Sequence, residues 1–361
     1  MDLFYFILSI LYGILKFLHI NFIPFNWGGY PVGEWIAWAI VGLVEVIIVF
    51  ALSMLLVVIL VYVFRKYMAD LQNRIGPNRV GPWGSLQLIA DVFKLIQKQD
   101  LIPSRADRIA FKLAPYIVFT PVALGFVLIP FGNISILNLM VLNFPYTVLF
   151  LIAFMIISPL GEIIGGLSSH NKFSLYGALR SAAQDIGYEV PMMISVISVI
   201  ILAGSYSANS IVYAQRNIPF IIPEVLGFFV FFFAMIAKQS IPPFDLPESG
   251  SELVSGYSTE YSGMRYGIFY MANFGFMALT SFVVATLYLG GWEGPFPFIP
   301  GLFWLLIKAA IFMVIFLLSW IALGRVRIDQ FLNLGWKYLL PLSIINLLIS
   351  AGLALTVGGW F

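Results

Sequence analysis

One short stretch of this largely apolar sequence concentrates carboxylates. It is IPPFDLPESGSELVSGYSTEYSGMRYG, residues 241–267, and its acids are Asp245, Glu248, Glu252 and Glu260. Carboxylates this close cannot all ionise cheaply when they are buried, so their protonation states couple and the group can pass protons. The alternative is a solvated acidic loop, against which the interleaved apolar residues, such as Phe244 and Leu253, argue.

The spacing of these acids predicts one arrangement. With Asp245 as a helix cap, Glu248 takes the third helical position of a capping-box-like start. Pro247 is tolerated in a first turn, and Glu252 follows about one turn later. We therefore expect Asp245, Glu248 and Glu252 to line one face of a helix.

Further acids lie in or beside strongly apolar segments. Glu45 and Glu162 fall within such segments, and Glu189 falls at the boundary of one. There we expect Glu189 to open a helix and to interact favourably with its dipole. Acids inside a membrane are costly and mark functional sites by default. Each is either a proton-exchanging group or a structural residue, and Arg180 is the notable cation of the polar segment before Glu189.

The whole chain has the composition of a membrane protein. Of its 361 residues, 61% are hydrophobic and 10% are charged, and the mean hydropathy is +0.98. Apolar runs of about 18 or more residues recur, each long enough to cross a bilayer as a helix. The runs are continuous and do not alternate as strands would. The expected fold class is an all-α polytopic membrane protein.

The chain lacks the usual ligands of redox centres. It contains no cysteine, which excludes disulfides, thiolate chemistry and iron–sulfur ligation by this chain. Its two histidines, His19 and His170, are far apart, which disfavours a bis-histidine haem. We expect no metal, haem, flavin or iron–sulfur cluster here, so that any electrons come from another subunit. The net charge of +2 does not indicate a nucleic-acid partner.

Eight membrane-spanning helices are predicted, the first long enough to be strongly tilted. They cover residues 36–64, 113–131, 147–166, 189–206, 223–239, 267–290, 302–323 and 339–360. Residues 34–361 then form a single membrane domain, preceded by an apolar segment at 1–33. The first 20 residues of that segment are either a ninth span or a helix at the membrane interface.

Basic residues orient the predicted bundle. Most of the 19 lysines and arginines fall in loops on one side, with the largest group in residues 65–112. Such loops are normally cytoplasmic, which places both termini outside and the acidic stretch on the cytoplasmic side. The same side carries most of the polar sequence. This asymmetry favours a docking surface for a cytoplasmic partner, although cytoplasmic loops are in general more polar.

Two elements follow the first span. The motif QNRIGPNRVGPWG, residues 72–84, predicts a rigid turn, because its two Gly-Pro pairs combine unusual dihedrals with a fixed φ. Arg74 and Arg79 lie on this turn, either for function or as snorkelling residues. Residues 85–99 predict an amphipathic helix lying flat on the cytoplasmic surface. That helix is either structural or a wall beside the access route of a lipid-like ligand.

Three motifs resemble the signature regions of NADH dehydrogenase subunit 1, the heel subunit of respiratory complex I. They are QNRIGPNRVGPWGSLQLIAD, GALRSAAQDIGYEV and PPFDLPESGSELVSGYSTEYSGMR, in the family's order and spacing. The resemblance runs from about residue 40 to the C-terminus. It implies a subunit of the inner (cytoplasmic) membrane that joins a peripheral arm to a membrane arm and forms most of a quinone-access tunnel.

The resemblance also implies roles for particular residues and partners. Quinone is the implied substrate, reduced by an iron–sulfur cluster of a neighbouring peripheral subunit on the cytoplasmic face. Other membrane-arm subunits and lipids are further implied partners. The implied channel residues are Arg65, Arg74, Asp91, Phe244 and Arg265. The implied proton-coupling residues are Asp245, Glu248, Glu252, Glu260 and Glu189, with Glu45, Glu162 and Arg180 along the proton path.

Several positions depart from the family pattern. Usual acids are replaced at Phe64, Lys238, Gly250 and Asn273, a usual arginine is replaced at Ile241, and Glu162 and Asp185 occupy positions that are usually uncharged. The first hypothesis is the quinone-channel and coupling subunit of a complex I-like proton-translocating oxidoreductase. The second is a structural anchor of a related membrane-bound oxidoreductase or hydrogenase with weakened or absent coupling. A stand-alone transporter is disfavoured by the lack of an internal repeat.

Overall fold

The structure is a computed structural model that describes residues 32–134, 137–138, 145–296 and 298–357. Within these ranges, the side chains of residues 32–42, 45, 133–134, 137–138 and 357 are outside the description. The predicted apolar segment 1–33 therefore lies almost entirely outside the described residues. The side chain of Glu45 lies outside them as well, so its predicted place on the proton path stays a prediction.

Helices dominate the described residues. They are α1 (Val32–Leu71), α2 (Gln87–Gln97), α3 (Arg108–Val127), α4 (Thr147–Ser168), α5 (Lys172–Ala203), α6 (Ala208–Ala214), α7 (Val225–Lys238), α8 (Gly250–Leu253), α9 (Gly263–Tyr288), α10 (Gly301–Ala322), α11 (Ile328–Leu334) and α12 (Leu340–Val357). One antiparallel pair joins β1 (Asn133–Ile134) to β2 (Leu137–Asn138). Short 3₁₀ turns lie at Pro82–Gly84 and Gly256–Ser258, and a π-helical turn at Gly335–Leu339 joins α11 to α12. The expected all-α class is confirmed.

Seven stretches of the described residues are long and apolar enough to cross a membrane. They are Val46–Leu71, Arg108–Val127, Thr147–Ser168, Lys172–Ala203, Gly263–Tyr288, Gly301–Ala322 and Ile328–Thr356. The remaining predicted span, 223–239, coincides with α7, which has 14 residues. A helix of that length extends about 21 Å, less than the hydrocarbon core of about 30 Å. The chain is a multi-pass membrane protein in which α7 is too short to span alone.

Helix α9 lies at the centre of the bundle. Of the 18 residues in its most apolar stretch, 78% are buried, a larger share than in any other spanning helix of the described part. It packs closely on α3 because glycines face larger side chains across the contact. A Cβ on Gly125 would lie 2.6 Å from Leu279, and one on Gly275 would lie 2.8 Å from Val122. Small residues allow this close approach of membrane helices. Helix α9 begins at Gly263, within the acidic stretch.

Helix α5 begins much earlier than predicted. It starts at Lys172, where Asn171 caps it by accepting a hydrogen bond from the amide of Phe173. The prediction that residues 167–188 form a loop and that Glu189 opens a helix is therefore wrong, since Glu189 lies in the middle of α5. Hydropathy misplaced the boundary because polar residues of this half of α5, such as Gln184, are buried and hydrogen-bonded.

The predicted helix beginning at Asp245 does not form. Residues 241–246 are turn or irregular structure, and the short helix α8 begins only at Gly250, with Ser249 at its N-cap. Prolines at 242, 243 and 247 have no amide hydrogen to donate, which disfavours a helix there. The prediction that three acids share one helical face is wrong, and the structure directs each acid to a different partner.

The elements after α1 agree better with expectation. Helix α2 forms the predicted amphipathic helix, and Leu86, Ile89 and Phe93 are exposed on its apolar side. Before it, the Gly-Pro turn is built on Gly81, whose φ is +74°. Helix α1 extends to Leu71, however, so that Arg65 lies within α1 and not in the loop where it was predicted.

Candidate functional site

The acidic segment, residues 239–262 between α7 and α9, is fixed against the bundle by apolar anchors. Phe244 is 3% exposed, and its ring centroid lies 5.1 Å from that of Phe331. On the other side, Gly177 of α5 lets the backbone approach, since a Cβ there would lie 2.5 Å from the amide nitrogen of Tyr257. The acids of this segment are therefore held in defined positions.

Glu248 points into the protein. The hydroxyl of Tyr257 donates a hydrogen bond to its Oε1 at 2.6 Å, and the amide of Asn273 on α9 donates to the same oxygen at 3.3 Å. Burial raises the pKa of Glu248 above its ordinary value, and the two hydrogen bonds oppose that shift only in part. The surroundings of Glu248 thus favour its neutral form more than water does.

Asp245 lies at the edge of the same segment. Nη2 of Arg325 is 3.1 Å from its Oδ2, while its Oδ1 is buried and has no hydrogen-bond partner among the described residues. Burial raises the pKa of Asp245, and the charge of Arg325 acts in the opposite direction. Within the described part of the chain, one carboxylate oxygen of Asp245 is therefore paired and the other is not. The stability of its charged form depends on the position of Arg325.

The other two acids lie at the protein surface. Glu252 forms an ion pair with Arg180 of α5, and the hydrogen bond from Arg180 lowers the pKa of Glu252. Glu260 accepts a hydrogen bond from the amide of Asn171 at 2.5 Å. It lines a surface cavity of about 310 Å³ together with Arg105 and other residues. The four acids of the acidic segment thus divide into an inner pair, Asp245 and Glu248, and an outer pair, Glu252 and Glu260.

A second set of charges lies inside the helix bundle. Glu162 of α4 is 7% exposed and accepts a hydrogen bond from Ser181 at 2.8 Å. On α5, Asp185 accepts a hydrogen bond from Tyr188 at 2.6 Å. Nζ of Lys238, at the end of α7, lies 3.8 Å from Oε1 of Glu189. We call Glu162, Asp185, Glu189 and Lys238 the interior cluster.

Glu248 lies within electrostatic range of the interior cluster. Glu162 interacts with the charge of Glu248 as well as with those of Asp185 and Lys238. Tyr257, which donates to Glu248, also interacts with the charge of Glu162. Glu248 and Glu162 are therefore near enough for the charge of one to affect the protonation of the other.

The implied quinone-channel residues fall into three places. Arg65 forms an ion pair with Asp91 of α2 at 2.5 Å, and Arg65 and Arg74 line a cavity of about 340 Å³ with Phe64, Met68, Pro77 and Tyr270. Arg265 lies apart from this cavity, 2.9 Å from Asp100. Phe244 packs in the core beside α11. Arg65, Arg74 and Asp91 therefore form one group, and the other two residues do not join it.

The geometry adds residues to which the sequence assigned no role. Tyr257 and Tyr188 are neutral, and the motifs gave no reason to choose them over other tyrosines. Lys238, Asp185 and Asn273 were visible only as departures from a family pattern. Within the described part of the chain, no group of three or more potential metal ligands occurs.

Comparison with known proteins assigns the chain to a family. The NADH dehydrogenase family matches residues 44–351. An H-type subunit of NADH-quinone oxidoreductase from Dehalococcoides mccartyi (strain CBDB1) is 42% identical over 311 residues, 86% of each chain. The corresponding subunit of Methylococcus capsulatus is 39% identical over 88% of this chain and 99% of its own length, and that of Bacteroides thetaiotaomicron is 42% identical over 83% and 87%. The chain therefore belongs to the NADH dehydrogenase subunit 1 family.

Proposed function

We propose that this chain is the quinone-channel and coupling subunit of a complex I-like, proton-translocating NADH–quinone oxidoreductase. The relatives' names supply the donor and acceptor classes. The observation that supports the proposal is that buried Glu248 of the acidic segment lies within electrostatic range of the interior cluster, where Lys238 lies 3.8 Å from Glu189. Acids held inside a membrane bundle are the usual elements of proton relays.

The coupling step begins at the inner acids. Reduction of a quinone takes up protons and changes the charge near its head group. Because burial raises the pKa of Glu248 and of Asp245, a modest change in nearby charge alters how fully they bind protons. Protons then pass inwards from Glu248 to the interior cluster, which contains Glu162 and Glu189.

The channel mouth is assigned to the cavity that holds Arg65 and Arg74. Helix α2 lies beside it and contributes Asp91 to the ion pair with Arg65. The exposed apolar side of α2 fits a helix lying at headgroup depth, where a long apolar tail enters from the bilayer. Arg265 and Phe244 remain proposed channel residues at a greater distance from this mouth.

The cytoplasmic face is assigned to the peripheral arm. A cavity of about 490 Å³ there is lined by Arg180, Glu252, Arg325 and neighbouring residues, and such charged surfaces suit docking of a hydrophilic partner. In this proposal, iron–sulfur and quinone-site subunits dock there and supply the electrons, and this chain holds no redox centre of its own. The chain resides in the inner membrane as a single domain over residues 34–361, with both termini outside.

Replacement of Glu248 tests the proposal. The purified complex carrying Glu248→Gln is reconstituted in proteoliposomes and supplied with NADH and a short-chain quinone analogue. We expect quinone reduction or the accompanying pH gradient to fall at least about tenfold, the scale of losing one proton-transfer group. The control is Asp70→Asn, at an exposed position of α1. Wild-type quinone reduction and a wild-type pH gradient in Glu248→Gln would reject the proposal.

The structural-anchor function is the second candidate. It is favoured by the neutral Asn273 and the cationic Lys238 at positions where the family pattern has acids. In that case the same proteoliposomes transfer electrons to the quinone and form no pH gradient. A gradient that collapses with a protonophore identifies the coupled function instead.

A further inference from the structure

Lys238 is a charged side chain in the interior of the bundle. It is the last residue of α7, and its side chain is 1% exposed. A buried ammonium group is tolerated only where opposite charges compensate for its lost hydration. Its surroundings therefore show what the chain has built around it.

The ammonium group is held between rings and carboxylates without a fixed hydrogen bond. Nζ lies 5.7 Å from the ring centroid of Tyr188 and 5.5 Å from that of Phe276, which are cation–π distances. The oxygen of Glu189 is 3.8 Å away, beyond hydrogen-bond length. Neither Nζ of Lys238 nor Oδ2 of Asp185 has a hydrogen-bond partner among the described residues.

Two carboxylates on one helix thus compete for one ammonium group. Asp185 and Glu189 are four residues apart on α5, so they lie on one side of that helix. Lys238 interacts with both charges, and more weakly with Glu162 of α4. Helix α9 presents the ring of Phe276 on the remaining side. A lysine has three donors on a flexible four-carbon stem, so its ammonium group can turn between the two acids.

We propose that Lys238 is a positioning residue of the proton path, whose ammonium group pairs in turn with Glu189 and with Asp185. The inference rests on the proposed function, because it requires that Glu189 binds protons during coupling. When Glu189 is ionised, the ammonium group pairs with it. When Glu189 takes up a proton, Asp185 is the remaining charged partner on that side of α5, and the ammonium group moves towards Asp185. The ammonium group keeps its protons throughout, and the carboxylates bind and release theirs.

A purely structural lysine would neutralise surplus acid and nothing more. Two variants separate the roles: Lys238→Met, which leaves the interior acids without their cation, and Asp185→Asn with Lys238→Met, which removes one charge of each sign. The double variant restores the charge balance. If Lys238 were only structural, the double variant would recover both assembly and pumping.

The experiment measures assembly of the complex and the number of protons moved per electron in proteoliposomes, with NADH and a short-chain quinone analogue. We expect the double variant to assemble near the wild-type level and to lose most of its proton-to-electron ratio, because the movable charge is missing. A wild-type ratio in the double variant, or in Lys238→Met, would overturn the inference.

Two controls complete the design. Lys308→Met removes a second lysine, which is partly buried and whose Nζ donates to the carbonyls of Leu289, Gly291 and Glu293. The proton-to-electron ratio of this variant, per assembled complex, should be that of the wild type. Glu189→Gln and Glu248→Gln test the underlying function. If both pump normally, the proposed function fails and the inference fails with it. If both fail to pump while Lys238→Met pumps normally, only the role of Lys238 is rejected.

Discussion

The hydroxyl of Tyr257 donates a hydrogen bond to the carboxylate of Glu248 over 2.6 Å. Tyr257 is fully buried and lies where the acidic segment crosses α5. The contact holds the side chain of Glu248 on the side of the acidic segment that faces the interior of the bundle. It also makes the protonation of Glu248 depend on this neutral donor, together with the weaker hydrogen bond from Asn273.

Removal of that donor should change the titration of Glu248. The hydrogen bond from Tyr257 lowers the pKa of Glu248, so Tyr257→Phe should raise it further and keep the carboxyl neutral to higher pH. Difference infrared spectroscopy of the complex follows the carboxylic-acid C=O band, which is identified by its loss in Glu248→Gln. Tyr116→Phe, at a position that is 54% exposed, is the control. A band that titrates as in the wild type would contradict the contact.

The pH dependence of stability should show the same group. Because burial raises the pKa of Glu248, its favourable contribution is complete below the pKa of an exposed glutamate and is lost as the pH rises through the raised value. Glu248→Gln cannot ionise, so its thermal stability should decline less with rising pH than that of the wild type. If the melting temperatures of the two proteins changed in parallel as the pH rose from the pKa of an exposed glutamate, Glu248 would titrate like an exposed acid.

Lys308 should matter for stability and not for coupling. Its Nζ donates to the carbonyl oxygens of Leu289, Gly291 and Glu293 at 2.6, 2.9 and 2.5 Å, beyond the C-terminal end of α9. Loss of these donors in Lys308→Met should destabilise the fold by about 2 kcal/mol or more, seen as a lower melting temperature of the purified complex. An unchanged melting temperature would mean that solvent satisfies the three carbonyls equally well.

Packing between α3 and α4 should be sensitive at Gly161. A Cβ there would lie 2.5 Å from Cγ2 of Val118 and 2.8 Å from the carbonyl oxygen of Ala114. Gly161→Ala should therefore cost about 1–3 kcal/mol through overpacking. Gly352→Ala is the matched control, since nothing lies within 4 Å of its added Cβ. Equal melting temperatures for both variants would contradict the close approach of α3 and α4.

Sequence reasoning predicted the class and most helices because both depend on local pattern. Continuous apolar runs predicted the spans, and the separation of apolar and polar residues onto two faces of a helix predicted α2. The start of α5 was missed because Asn171 is a local cap that lies far before the hydrophobic run. Hydropathy alone cannot show that the polar residues in between, such as Gln184, find partners inside the bundle.

The candidate site was predicted only in part. The residue types of the acidic segment indicated proton chemistry, but the three-residue spacing of Asp245 and Glu248 suggested a helix that the prolines prevent. The pairings with Arg325, Tyr257 and Asn273 join residues from distant parts of the chain, so no local pattern encodes them. Lys238 appeared in the sequence as a lost acid, whereas the structure shows a cation 3.8 Å from Glu189 that also interacts with the charges of Asp185 and Glu162.

The central claim is that Glu248 and Glu189 belong to one proton path. The most direct test is the number of protons moved per electron by the assembled complex in sealed proteoliposomes, compared among wild type, Glu248→Gln and Glu189→Gln. The account predicts a strongly reduced ratio, or a loss of quinone reduction, in both variants and no change in Asp70→Asn. A wild-type rate and a wild-type ratio in both glutamine variants would contradict it.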